Sequence, residues 1–170
     1  MSVQEAEKMK NRVPEGWTLE SLKEEAAKLE SVVILFTSWY PEIMEPMMNS
    51  AQKYLMDMGV KHSAIVVRQV PGSFELPLAA KTMIQANKPS LVVALGTVIR
   101  GDTPHFDFVC SSVAKGLMDL QLETGVPLGF GVLTVDNKEQ AVARIDKGFE
   151  AAQAAFFMHL LSLRAASALL

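Results

Sequence analysis

The chain has 170 residues, 49% of them hydrophobic and 21% charged, which suits one folded domain with a real core and excludes a disordered chain. With 16 basic side chains against 19 acidic ones the net charge is −3, so neither a nucleic-acid surface nor a membrane-surface role is inferred. The single cysteine, Cys110, excludes an internal disulfide framework and a multi-cysteine metal cluster, and it fits a reducing compartment. No apolar run approaches the ~20 residues that span a bilayer. The N-terminus MSVQEAEKMKNR lacks the apolar core of a secretory signal, and its acidic residues argue against a transit peptide. The expected location is the cytoplasm.

Residues 1–31 read as an N-terminal extension, partly helical. After a polar dozen, the stretch 18–30 (TLESLKEEAAKLE) is rich in helix formers, with Leu19, Leu22, Ala26 and Leu29 at helical spacing and Thr18 as N-cap. No catalytic role is read there. Residues 32–170 read as one α/β domain. The run SVVILFT (31–37) is continuous, apolar and β-branched, as expected of a strand buried on both faces. A helix follows Pro41 and stops at Gly59, and residues 64–70 form a second strand broken by Pro71 and Gly72. A helix over 73–86 leads to a third strand at 91–95, and a glycine-containing loop leads to a helix beginning near His105. On that helix Val109, Val113, Leu117 and Leu120 share one apolar face. A fourth strand at 129–134 and two helices, 137–145 and 148–169, complete the chain. Strands alternating with helices longer than ten residues require crossover connections. They therefore predict a four-stranded parallel sheet in a three-layer α/β/α sandwich. The final helices carry Phe149, Ala152, Phe156, Phe157 and Leu160, more apolar surface than one small sheet is expected to cover, which points to subunit contacts.

Ligands of open parallel sheets bind at the carboxyl ends of the strands, so the loops after the strands are where chemistry is expected. The loop from Gly96 to His105 combines glycines with a helix N-terminus, whose free N–H groups and dipole cradle anions; Thr103 adds a hydroxyl. Asp102 is awkward there, because its carboxylate would repel a phosphate unless it points away. His105 begins the helix, and a side chain that titrates near neutrality is what general acid–base catalysis uses. A structural helix-start histidine is the bland alternative. After the second strand, Ser73, Phe74 and Glu75 follow the Pro-Gly turn; they suit an N-cap and first-turn dipole partner or, equally, a polyhydroxyl ligand. Trp39, after the first strand, is either an aromatic plug or a flat surface for a planar heterocycle. His62 and His159 have no partner in sequence and read as structural or surface residues. Cys110 and the methionines at 44, 47, 48, 56 and 58 read as packing. No metal-ligand spacing, P-loop or G-x-G-x-x-G is present.

Four blocks carry a specific resemblance: VPGSFELPLAAK (70–81), GTVIRGDTPHFDFV (96–109), PLGFGVLTVDNKEQAVAR (127–144) and KGFEAAQAAFFM (147–158). In this order they resemble the lumazine synthase family, strongly from residue 70 to 158, more weakly over 32–68 and not before 31. The resemblance implies a flavodoxin-like sandwich that forms homo-oligomers, as pentamers that sometimes stack or build icosahedral shells. It implies condensation of 5-amino-6-ribitylaminouracil with 3,4-dihydroxy-2-butanone 4-phosphate in riboflavin biosynthesis, without metal or redox cofactor. By the same resemblance Trp39 would stack on the pyrimidine, and Ser73, Phe74 and Glu75 would hold the ribityl chain and ring. Val98 and Ile99 would contact the ring, and Gly101, Asp102 and Thr103 would cradle the phosphate. His105 would move protons, while Phe130 and Arg144 would enter from the neighbouring subunit, Arg144 on the phosphate. Three features depart from the family pattern. Tyr40 stands where asparagine is usual, the N-terminal region reads as a helix instead of a strand joining a neighbour's sheet, and only Ile145 and Asp146 separate Arg144 from Lys147. A non-catalytic riboflavin or lumazine binder and a self-assembling scaffold are the alternative readings.

Overall fold

A computed structural model describes residues 12–167. The polar first dozen residues fall almost entirely outside it, as do the last residues of the predicted C-terminal helix. Helix α1 (Leu19–Ala27) starts at a capping box. Thr18 Oγ1 accepts from the Ser21 N–H at 3.1 Å, and Ser21 Oγ accepts from the Thr18 N–H at 2.9 Å. Leu22 and Ala26 are fully buried and Leu29 nearly so, whereas Leu19 lies on the exposed side. Strand β1 (Val32–Thr37) leads to α2 (Pro41–Asp57), with proline at the helix start, where its missing N–H costs nothing. A 3-10 turn (His62–Ala64) precedes β2 (Ile65–Val70), and a second one (Ser73–Glu75) leads into α3 (Leu76–Asn87). Then come β3 (Leu91–Ile99), α4 (His105–Thr124), β4 (Leu128–Val135), α5 (Lys138–Val142) and α6 (Lys147–Ser167).

The four strands are parallel in the order β2-β1-β3-β4. Because side chains alternate across a strand, Val32, Ile34, Val93 and Leu95 face one apolar layer with α1, α2 and α6. Val33, Leu35, Val92 and Ala94 face the other with α3 and α4. This is the expected three-layer sandwich.

Three expectations require correction. Strand β3 runs to Ile99 and not only to Leu95, so Gly96, Thr97, Val98 and Ile99 are strand residues. The extra length comes from pairing with β4, where Thr97, Val98 and Ile99 match Leu133, Thr134 and Val135, and the Arg100 N–H donates to Val135 O. The expected helix over 137–145 contracts to Lys138–Val142, capped by Asn137 Oδ1 accepting from the Gln140 N–H at 2.9 Å. Finally, Phe149, Ala152, Phe156 and Leu160 are consumed by the chain's own core against α2 and the sheet. Exposed apolar side chains remain on several elements: Phe108, Met118 and Leu122 on α4, Leu78 on α3, Phe130 on β4, and Met158, Leu161 and Leu163 on α6 itself.

His159 is half-buried on α6. Burial holds its imidazole below the usual value, partly offset by the charge of Glu25 and a backbone hydrogen bond at Ser90. Below the unperturbed 6.5 the unfolded chain therefore binds more protons at this position than the folded one, and stability should fall as pH drops through that value. Urea titrations of His159→Gln should show a smaller loss between neutral and mildly acidic pH than the parent protein. An identical loss would remove His159 as a source of the pH dependence.

Candidate active site

Strands β1 and β3 are neighbours in the sheet, but the chain leaves them in opposite lateral directions. Such a switch point opens a crevice at the strands' carboxyl ends. A cavity of about 320 Å³ lies there. Trp39 and Tyr40 from the end of β1 line it, as do Gly72, Ser73, Phe74 and Glu75 from the β2–α3 connection. Thr97, Val98 and Ile99 on β3 and His105 and Val109 on the first turns of α4 complete it.

Local bonding explains how these groups converge. Ser38 donates its N–H to Val70 O at 2.9 Å and its hydroxyl to Pro71 O at 2.7 Å, tying the first loop to the second. Trp39 is 66% exposed, its ring centroid 6.5 Å from that of Tyr40 at a 48° tilt. Tyr40 sits in the left-handed region (φ 57°, ψ 61°), which costs a residue with a Cβ roughly 1–2 kcal/mol and suits asparagine better. Gly72 marks the place where Trp39 and Glu75 meet. A Cβ there would lie 3.1 Å from Glu75 Oε2 and 3.6 Å from the indole Cδ1 and Nε1. Gly96 leaves room for Ser73, because its own Cβ would come within 2.6 Å of Ser73 Oγ. That hydroxyl is buried and has no hydrogen-bond partner among the described residues. Phe74 is exposed.

The segment 101–104 is exposed and borders this cavity through His105. The His105 N–H donates to Thr103 Oγ1 at 3.4 Å, and the Asp107 N–H donates to Pro104 O at 3.0 Å, which closes the first turn of α4. A Cβ on Gly101 would meet nothing within 4 Å, so the space beside this backbone is open to a ligand. Asp102 makes no ion pair among the described residues and remains a local negative charge. Nor do those residues hold a cluster of three or more potential metal ligands.

Phe130 and Arg144 are not brought to this cavity within one chain. They line a separate groove of about 220 Å³ along the edge strand β4, together with Lys147. Phe130 pairs with Ala94, four residues before Val98, which places it roughly 13 Å back along the strands. It is 48% exposed. The Arg144 Nη1 donates to Gln140 O at 2.8 Å and its guanidinium has no carboxylate partner among the described residues, whereas Lys147 is paired with Glu150. Sequence reasoning assigned nothing to the left-handed Tyr40 backbone, which follows from tertiary packing. It also missed an apolar cavity of about 350 Å³ beside the site, between Arg68 and Val70 on β2 and Leu78 and Met83 on α3. The usual asparagine at position 40 was the one available signal for the first.

A doubly wound parallel sheet in this order, with its cavity at the β1/β3 switch, defines a flavodoxin-like α/β protein built to hold a small ligand. The model of the 6,7-dimethyl-8-ribityllumazine synthase family matches residues 30–162. A protein of that name from Micrococcus luteus is 45% identical over 147 residues, 82% of this chain and 90% of the relative. The Streptomyces coelicolor protein is 44% identical over 131 residues (73% and 80%), and that of Cutibacterium acnes 42% over 131 residues (73% and 76%). The chain belongs to the 6,7-dimethyl-8-ribityllumazine synthase family.

Proposed function

We propose that the protein is the enzyme that condenses 5-amino-6-ribitylaminouracil with 3,4-dihydroxy-2-butanone 4-phosphate to 6,7-dimethyl-8-ribityllumazine, phosphate and water. The observation that carries this reading is the convergence of a flat indole, a buried unpaired hydroxyl, a carboxylate and a histidine on one strand-end cavity beside an open glycine loop. In this reading Trp39 stacks on the pyrimidine, Val98 and Ile99 contact its ring, and Ser73, Phe74 and Glu75 hold the ring and ribityl chain. The backbone of Gly101 and Asp102 and the hydroxyl of Thr103 cradle the phosphate, with the Asp102 carboxylate turned away from it. His105 takes and returns protons as the imine forms, phosphate leaves and the ring closes. No metal or redox cofactor enters, because each step is a proton transfer, addition or elimination.

Phe130 and Arg144 enter the site from a neighbouring copy. The supporting observation is that these groups lie in a separate groove on the sheet edge, with the Arg144 charge unspent. The active unit is then a homo-oligomer, a pentamer by family resemblance, in the cytoplasm; residues 1–31 form an extension without a catalytic group. None of the helices among the described residues is long and apolar enough to cross a membrane.

Purified protein given both substrates should form the lumazine faster than the spontaneous reaction. Absence of acceleration with retained riboflavin or lumazine binding would favour a non-catalytic binder instead. Arg144→Ala should weaken binding of the phosphate-bearing substrate by roughly 1.5–3 kcal/mol, the scale of a hydrogen bond to a charged group. Equal affinity in the variant would sink its role. Mixed oligomers of His105→Ala and Arg144→Ala chains should regain part of the lost turnover, since some interfaces then carry both intact residues.

A further inference from the structure

The root of the phosphate loop is held by one side chain that the chemistry above does not use. Arg100 follows the last residue of β3. Its Nη2 and Nη1 donate to the two carboxylate oxygens of Asp107, in the first turn of α4, at 3.1 and 3.3 Å. Its Nε donates to Asp136 Oδ1, just past the end of β4, at 3.3 Å. The guanidinium carbon lies 4.1 Å from the centroid of the Phe106 ring, and the Arg100 N–H donates to Val135 O at 2.9 Å. One residue therefore clamps the ends of two strands to the start of the helix that carries His105. The loop 101–104 is strung between these anchored points.

Two physical arguments separate this arrangement from ordinary surface pairing. The side chains of Arg100, Asp107 and Asp136 are 44%, 59% and 69% exposed, and ion pairs at such exposure add little to stability. Their consequence is geometric, because a planar guanidinium engaging one carboxylate through two nitrogens and another through the third fixes both directions at once. The pairing also offsets one of the two carboxylate charges, Asp107 and Asp136, that flank the anion loop and would otherwise repel a phosphate.

We propose that Arg100 is a positioning residue for the phosphate-bearing substrate, holding the loop 101–104 and the first turn of α4 in register with the sheet while screening Asp107 and Asp136 from the bound anion. With its donors committed to carboxylates, it acts through the loop and does not bind the phosphate. The inference rests on the reading of this loop as the phosphate cradle.

The test is steady-state kinetics of the full-length oligomer with each substrate varied in turn. Arg100→Met should raise the KM for the phosphate-bearing substrate about tenfold, since small misplacements of binding groups have effects of at least that order. The KM for the ribitylaminopyrimidine should stay within about twofold and the melting temperature should be little changed. Arg100→Lys keeps the charge without the fork and should recover only part of the loss; complete recovery would overturn the positioning role. Asp136→Asn removes one arm of the fork and should give a smaller rise in the same KM, which keeps the test decisive if Arg100→Met does not fold. Equal rises in both KM values, or none in the phosphate one, would also overturn the proposal. Thr103→Ala separates the two levels. If it leaves the phosphate KM unchanged, the cradle reading itself fails. If it raises that KM while Arg100→Met does not, the inference about Arg100 alone fails.

Discussion

Gly148→Ala should destabilise the folded chain by about 3 kcal/mol, at the upper end of the usual cost of overpacking. A Cβ at this position would lie 2.1 Å from the Met47 carbonyl oxygen, 2.8 Å from its carbon and 3.0 Å from its Cα. All three are backbone atoms of α2, so no side-chain rotation relieves the contact. Helix α6 would have to lift away from α2. That would loosen the packing of Phe149 and Phe156, both fully buried in the layer the two helices share. The opposing effect is smaller, because alanine is favoured over glycine inside a helix by about 1 kcal/mol. The net sign is therefore a loss. Urea unfolding of the two proteins measures it, and an unchanged midpoint would mean that the α2–α6 contact yields without cost.

His105→Ala should lower turnover roughly 10²-fold, the low end for loss of a general acid–base group. The low end is expected because holding two reactive substrates together supplies much of the acceleration by itself. The side chain is exposed at the cavity rim, and the backbone of its turn is held by Thr103 and Pro104, neither of which the substitution removes. Folding, assembly and substrate affinity should then be nearly those of the parent protein. Single-turnover measurements with both substrates saturating isolate the effect, and an unchanged rate would take His105 out of the chemistry.

The candidate site was legible to the extent that its groups sit next to strand ends along the chain. Trp39, the Ser73 to Glu75 segment and His105 each follow a strand recognisable by its apolar run, and the rule that ligands bind at the carboxyl ends of parallel strands places their loops together. Their mutual arrangement was not legible. The closeness of Gly72 to Trp39, and the space Gly96 leaves for Ser73 Oγ, arise between segments far apart in sequence.

The sequence by itself determined the four parallel strands, the helices between them, the cap at Thr18 and the blocks that mark the family, because runs, periods and caps are properties of neighbouring residues. Only the tertiary structure decided that β3 continues through Gly96 to Ile99. A glycine that reads locally as a loop becomes a strand residue once β4 pairs alongside it. Only packing decided that the apolar face of α6 is satisfied within the chain by α2 and the sheet, and that Tyr40 accepts a left-handed backbone. The division of Phe130 and Arg144 from the Trp39 cavity likewise followed from the sheet edge on which β4 lies. Each of these depends on contacts between residues distant in the chain, and such pairings leave no mark in local propensity.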